Sequence, residues 1–144
     1  MLRNEGGLLA DEDVVLRSTD KEYILQNGEI KLQAFLVRAN GKDDDGLSVT
    51  QEAARSIGQL REDTGDLTGK KAFCCLIVTD VRQVSLSDEY RYRIGRQQLD
   101  VVADPTDGDS YHCLIINTPN SDFDKAHKRR IAEQLAEKAY EYKP

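Results

Sequence analysis

Tryptophan is absent from this 144-residue chain, and only 6% of its residues are aromatic. Proline and cysteine occur three times each, and no apolar run approaches the roughly 20 residues that span a bilayer. A core of this composition is mainly aliphatic, and an odd, small number of cysteines does not imply a disulfide framework. The first residues also lack the uninterrupted apolar stretch of a signal peptide. We therefore expect a cytoplasmic protein without a membrane partner.

An excess of positive charge is missing as well. Twenty lysines and arginines face 26 acidic residues, which gives a formal net charge of −6. The negative net charge argues against a protein that coats nucleic acid, because such a protein needs a positive overall electrostatic field. Positive charge is concentrated locally, since residues 67–99 carry six basic and three acidic groups. A local basic surface is therefore still a possible contact for an acidic partner.

Sequence motifs that hold cofactors or metal ions are also missing. The chain contains no Walker A loop and no dinucleotide-binding fingerprint, and its cysteines lack the paired spacing of a zinc site. The consecutive aspartates 43–45 cannot all face one ion, and the acidic loop 104–109 lacks the terminal glutamate of an EF-hand. We expect neither cofactor nor metal, and we interpret both acidic loops as solvated turns.

The patterns in the first half predict one strand and one short helix. Residues 1–20 mix glycines with charges and predict a loosely ordered lead-in to a single domain over residues 21–144. Apolar and polar residues alternate over residues 29–38, which predicts a strand, and Asn-Gly and Asp-Gly pairs then predict a turn. Thr50 is a suitable N-cap for a helix over residues 51–62.

The second half predicts the rest of the sheet and a closing helix. The apolar run over residues 71–81 is typical of a central strand buried on both faces. Two apolar runs around Pro105 and an Asp-Gly pair predict a hairpin. Apolar residues at three- and four-residue steps from Ser121 to Tyr142 predict a long amphipathic helix. The predicted fold is α+β, a mainly antiparallel sheet with a short internal helix and the long C-terminal helix packed on one face.

A segment with alternating arginine and tyrosine is the candidate binding surface. If residues 89–96, EYRYRIGR, are extended, Arg91 and Arg93 lie on one face of the strand, opposite Tyr90 and Tyr92. Together with Arg96, they would offer guanidinium groups for phosphate and rings for stacking. The structural alternative is an edge strand whose charges prevent aggregation.

Three segments, AFLVRANGKDDDGLSV, LDVVADPTDGDSYHCLIINTP and AEQLAEKA, carry a family resemblance. With them the chain resembles a set of small uncharacterised bacterial proteins that share an AF-x-x-R…DGLSV segment, a hairpin ending in His plus apolar residues, and an alanine-rich closing helix. The resemblance implies no activity. It implies that Arg38, Asp45, Gly46, Ser48 and His112 are the positions to test first.

These observations lead to two function classes. We expect a non-catalytic interaction protein that binds another macromolecule, a protein, within a bacterial multi-component operon. The alternative is a nucleic-acid-binding protein, or an enzyme acting on nucleic acid or a nucleotide, that makes contact through the strand of residues 89–96. Catalysis would require its candidates, Arg38, Asp45, Ser48 and His112, to meet in one cleft. The sequence leaves the oligomeric state open.

Overall fold

The computed structural model describes residues 7–36, 46–66, 68–84, 98–118 and 125–143. These ranges form an α+β fold around a six-stranded sheet whose neighbouring strands all pair antiparallel. The strands are β1 (Val14–Asp20), β2 (Leu47–Gln51), β3 (Lys71–Ile77), β4 (Gln98–Ala103), β5 (His112–Thr118) and β6 (Tyr140–Glu141). Their order across the sheet is β4-β5-β2-β1-β3-β6. The predicted α+β class with a mainly antiparallel sheet and the predicted hairpin of β4 and β5 are confirmed.

The last residues of the predicted lead-in, 14–20, are part of the sheet. Residues 14–20 form β1, which pairs with both β2 and β3. Residues 7–9, which precede β1, run along the edge strand β4. The amide of Leu9 donates to the carbonyl of Val101 at 3.1 Å, and the amide of Ala103 donates to the carbonyl of Gly7 at 2.8 Å. The segment therefore covers part of an edge that would otherwise present unpaired backbone groups.

The strand predicted over residues 29–38 is wrong where the chain is described. A 3-10 turn occupies Leu32–Phe35, and its neighbouring residues Ala34 and Phe35 are both buried. Two neighbouring strand residues would point to opposite faces. A tertiary hydrogen bond contributes to this conformation, since Nε of Arg17 donates to the carbonyl of Ala34 at 3.0 Å. The last two residues of the predicted strand lie outside the described ranges.

The first helix, α1 (Ile57–Asp63), begins later than predicted. Since β2 continues through Gln51, Thr50 lies inside a strand and caps no helix. The cap is Ser56, whose Oγ accepts a hydrogen bond from the amide of Gln59 at 3.1 Å. The β-branched residues before Gln51 favour the strand, and serine is a preferred N-cap.

The apolar run over residues 71–81 divides into two elements. Its first part is β3, and the helix α2 (Val78–Arg82) follows at once. Because β3 lies between β1 and the edge strand β6, its predicted central position is wrong. Its predicted burial on both faces is confirmed, because Cys74 belongs to one apolar cluster and Cys75 to another.

The two apolar clusters lie on opposite faces of the sheet. The strand members of the larger cluster are Val15, Leu47, Val49, Cys74, Leu76, Leu99, Val101, Ala103, Cys113 and Ile115. The smaller cluster consists of Leu16, Leu60, Phe73 and Cys75. Its members come only from β1, β3 and α1. The polar residues of β2 and β5 on the same face of the sheet are therefore not part of this cluster.

The C-terminal helix, α3, spans Lys125–Lys138. Its buried side chains join the larger cluster, but its most extensive contacts are with the 3-10 turn Leu32–Phe35. Direct packing of the long helix on one face of the sheet is therefore not confirmed. The predicted continuation to Tyr142 is wrong, because Tyr140–Glu141 pairs with β3 as β6. The start that the sequence predicts, Ser121, lies outside the described ranges.

Candidate functional site

The sheet opens between β1 and β2. Their pairing ends where Leu16 lies opposite Thr50, although both strands continue. Beyond this point the side chain of Arg17, which is only 4% exposed, bridges the two strands. Its Nη1 donates to the carbonyl of Ser48 at 2.9 Å. The Ser48 carbonyl has no strand partner across the opening. The charge-assisted hydrogen bond from Arg17 takes the place of that partner.

A cleft of about 710 Å³ lies over this opening. Its floor comes from three adjacent strands and consists of Ser18, Ser48, Thr50 and His112. The register explains their meeting, because Thr50 lies directly opposite His112 and residues two apart on a strand share a face. One wall is the end of α1 with the loop that follows it, and the other is the loop between β4 and β5. We call this the polar cleft.

Arg55 joins the two walls of the polar cleft. Its Nη1 lies 2.8 Å from Asp63 on one wall and 3.1 Å from Asp109 on the other. Its Nη2 donates to Oγ1 of Thr50 in the floor at 2.6 Å, and its guanidinium stacks on the ring of Tyr111, 4.8 Å from the centroid. The Arg55 side chain is only 7% exposed, so Arg55 and its partners form a buried ion-pair network. This network holds the two walls of the cleft at a fixed separation.

Asp66 holds the loop that follows α1. Its carboxylate accepts hydrogen bonds from the amides of Lys70 at 3.0 Å and Lys71 at 3.1 Å, and it pairs with Nη1 of Arg61 at 2.5 Å. Burial raises the pKa of Asp66, but the two amides and the guanidinium outweigh it and lower the pKa below its usual value. The carboxylate is therefore charged and fully engaged.

His112 is oriented from the side away from the cleft. Its Nδ1 lies 2.9 Å from the backbone carbonyl of Asp104 and 3.2 Å from Oδ2 of the same residue. Both partners are oxygen acceptors, so the hydrogen bonds require Nδ1 to be the donor. β5, which carries His112, lies between β4 and β2 in the sheet. Asp104 follows β4 and Thr50 belongs to β2, so these two residues lie on opposite sides of β5. His112 itself lines the polar cleft.

Further hydrogen-bond donors border the polar cleft. Lys70 is exposed at its rim, and among the described residues no carboxylate pairs with its Nζ. Its neighbour Lys71 contacts Asp20. The hydroxyl of Ser18 is half-buried in the floor, and no partner for it lies within the described ranges. The cleft thus presents an amine and a hydroxyl that a ligand can engage.

Two of the four catalytic candidates meet in the polar cleft, namely Ser48 and His112. The other two, Arg38 and Asp45, lie outside the described ranges, as do the binding candidates Tyr90, Arg91, Tyr92, Arg93 and Arg96 and the acidic loop 43–45. The solvated turn predicted for residues 104–109 is wrong in part. Asp109 is 5% exposed and binds Arg55, and Asp104 orients His112.

Sequence reasoning missed Arg17, Arg55, Lys70 and Asp104 as contributors to the site. Asp104 could have been found, because a hairpin that pairs Ala103 with Cys113 brings residues 104 and 112 together. The two arginines carry no such signal, because their partners are distant in sequence and depend on where the strands separate. No sequence pattern marks Lys70. It stands out only in the folded chain, where no carboxylate among the described residues pairs with its Nζ.

A second concavity, of about 800 Å³, lies between residues 27–32 and α3, and its ionisable side chains are three glutamates. Across the described ranges, no three His, Cys, Asp or Glu side chains are grouped to hold a metal ion. The helices in those ranges are too short or too polar to cross a membrane.

Comparisons with protein-family models, with curated proteins and with solved structures found no match to this chain. The resemblance to small bacterial proteins therefore stays a prediction.

Proposed function

We propose that this chain is a non-catalytic binding protein, and that the polar cleft receives a polar segment of a protein partner. The observation that carries the proposal is the convergence of Ser18, Ser48, Thr50 and His112 on one open sheet face. Polar side chains in a soluble protein are ordinarily scattered over its surface, whereas a concave group of convergent donors and acceptors is typical of a ligand site.

The rigidity of the cleft supports the same proposal. Arg55 ties both walls to the floor, and Arg17 fixes the opening between β1 and β2. A site that is already formed loses little conformational entropy when a ligand binds. The arginines that build the site are buried among their partners, so the groups that a ligand can reach include the amine of Lys70 and the hydroxyl of Ser18.

The experiment is a selection of random displayed peptides on the full-length protein, followed by affinity measurements on variants. Thr68→Trp fills the exposed mouth of the polar cleft, and Lys70→Ala removes its amine. Both should weaken the selected peptides at least about tenfold, which corresponds to about 1.4 kcal/mol. Lys31→Ala is the matched control, because this exposed lysine lies outside the cleft and should bind as the wild type does.

Equal binding by all three variants would overturn the proposal. Binding of a single-stranded RNA pool without any selected peptide would favour the nucleic-acid alternative. The enzyme alternative has one observation in its favour: the pair of Asp104 and His112 lies at the same cleft as Ser48, and general-base catalysis uses residues of these types. Labelling of Ser48 by a fluorophosphonate probe, lost in His112→Gln, would replace the binding proposal with that alternative.

A further inference from the structure

We infer that the partner segment bound in the polar cleft is amphipathic, and that its apolar side chain packs on a strip of aliphatic residues beside the cleft. The strip consists of Leu8, Val102, Leu114 and Ile116, and we call it the apolar strip. The inference rests on the proposed function of the cleft. It adds the chemical class of the segment and the place where a second anchor binds.

The apolar strip is built by cross-strand pairing. Ser48 in the floor of the polar cleft lies directly opposite Leu114 in β5, and Leu114 lies opposite Val102 in β4. Leu8 continues this row, because it forms a β-bridge with Val102. Residues opposite each other in antiparallel strands project from the same face of the sheet, with Cβ atoms about 4.5–5.5 Å apart. The strip therefore begins directly beside the floor of the cleft.

The side chains of the apolar strip are not part of the core. Their chain neighbours, such as Leu9 and Ile115, belong to the larger apolar cluster on the other face of the sheet. Within the described ranges, the strip residues belong to neither cluster and are not among the partly buried side chains packed against one. Leu8 is 56% exposed, and the other three are half-buried. A contiguous apolar surface of this kind beside a polar cleft is typical of an interaction site.

The exposed end of the strip is already fixed in position. Two backbone hydrogen bonds, of 3.1 and 2.8 Å, flank the bridge between Leu8 and Val102. Arg82 donates a further hydrogen bond to the carbonyl of Leu9, and its Nε pairs with Asp100 of β4 at 2.8 Å. A partner that binds here therefore loses little free energy in ordering the surface.

The strip offers side chains and not a free strand edge. The backbones of Val102 and Leu114 are paired within the sheet, and residues 7–9 run along the outer edge of β4. Aliphatic side chains contribute to binding when apolar surface is removed from water. The group that this surface recognises is therefore an aliphatic or aromatic side chain.

The distance between the two surfaces matches a single segment. Adjacent antiparallel strands lie about 4.8 Å apart, which places Leu114 about one spacing and Leu8 about three spacings, or roughly 14 Å, from the strand of Ser48. An extended segment advances about 3.4 Å per residue, so an apolar residue about two to four positions from the residue in the cleft reaches the strip.

The experiment uses the tightest peptide selected on the full-length protein. Leu8→Asn should weaken this peptide at least about fivefold, because binding no longer removes the exposed part of the leucine from water. Since the side chain is largely exposed, the variant should fold normally. Leu25→Asn is the matched control, because this leucine is 38% exposed and lines a concavity beside β3 and β6. It should bind as the wild type does.

A change in the peptide identifies the side chain that contacts the strip. Replacing the apolar residue of the peptide with alanine should weaken its binding to the wild type at least about fivefold as well. The same replacement should have a much smaller effect on binding to Leu8→Asn, because the contact between the two residues is already lost. Additive effects of the two changes would overturn the inference.

The outcomes separate this inference from the proposed function. Peptide binding that depends on Lys70 and on an open mouth at residue 68, but is unchanged in Leu8→Asn, would overturn the inference and leave the proposed function intact. Binding that depends on Leu8 but not on Lys70 or residue 68 would overturn both. Dimerisation in sedimentation experiments, lost in Leu8→Asn, would assign the strip to a second copy of the chain and overturn the inference.

Discussion

Gly46 occupies a position that no side chain can share. It is the residue directly before β2, its φ is +146°, and a Cβ atom built there would lie 2.6 Å from the carbonyl oxygen of Ile115 in β5. This close approach aligns β2 with β5 just before Ser48. The glycine therefore permits the close approach of β2 to β5, the two strands that carry Ser48, Thr50 and His112 of the floor.

Replacing Gly46 with alanine should lower the free energy of unfolding by about 2–4 kcal/mol, because the substitution adds backbone strain and a steric overlap with a buried carbonyl. Urea denaturation monitored by circular dichroism measures the change. Gly108→Ala is the control, since a Cβ atom there meets nothing within 4 Å and should change stability by less than about 0.5 kcal/mol. Equal stability of the two variants would contradict this account of Gly46.

Between β2 and α1, the turn Glu52–Arg55 bends the chain with two alanines at positive φ. The amide of Arg55 donates to the carbonyl of Glu52 at 3.2 Å, and φ is +49° at Ala53 and +54° at Ala54. These values describe a type I′ turn, which normally contains asparagine and glycine. Each alanine costs about 1–2 kcal/mol in this conformation. The turn directs Arg55 into the ion-pair network of the cleft.

The variant Ala54→Gly should therefore stabilise the protein by about 1 kcal/mol, because glycine adopts positive φ without steric cost. Chemical denaturation of the full chain measures the difference. Ala10→Gly is the control, because Ala10 lacks a positive φ and its replacement should lower stability by about 0.5 kcal/mol through the entropy of the unfolded chain. A loss of stability in Ala54→Gly would mean that the turn is not strained.

The elements that the sequence predicts well are those set by local patterns. The hairpin of β4 and β5 follows from two apolar runs around an Asp-Gly pair, and the two-sided burial of β3 follows from an unbroken apolar run. The segment over residues 29–38 alternates like a strand but forms a 3-10 turn, because its backbone is bound by Arg17 from another part of the chain. Tertiary hydrogen bonds of this kind leave no mark on a local pattern.

The site is predictable to a similar extent. Ser48 and His112 can be chosen from the sequence, and the hairpin register would have added Asp104. The opening between β1 and β2 depends instead on where two strands distant in sequence stop pairing. The contribution of Arg55 likewise requires two loops and a strand to meet, which only the folded chain shows.

Across the whole molecule, the two faces of the sheet differ in what they bury. The larger apolar cluster lies on one face, whereas the other combines the smaller cluster with the polar cleft. All three cysteines are buried and free. Desolvation raises the pKa of each thiol, Cys74, Cys75 and Cys113, to about 12. The thiols are therefore part of the core and stay protonated at physiological pH.

Alkylation by iodoacetamide at pH 8 should consequently be very slow in the folded protein. A pKa of about 12 instead of the ordinary value of 9.0 lowers the thiolate fraction roughly a thousandfold, before any effect of steric burial. Mass spectrometry of alkylated protein, with and without urea, measures the three rates. Rapid modification of any cysteine without urea would show that its part of the sheet opens readily.

The central claim is that the cleft over β1, β2 and β5 is the surface at which this protein binds its partner. The most direct test is an amide shift map of the full-length protein with a selected peptide bound. We expect the largest shifts in residues 48–50, 63–71 and 104–112, with small shifts in α3. Shifts centred on α3 and the turn Leu32–Phe35 would contradict it.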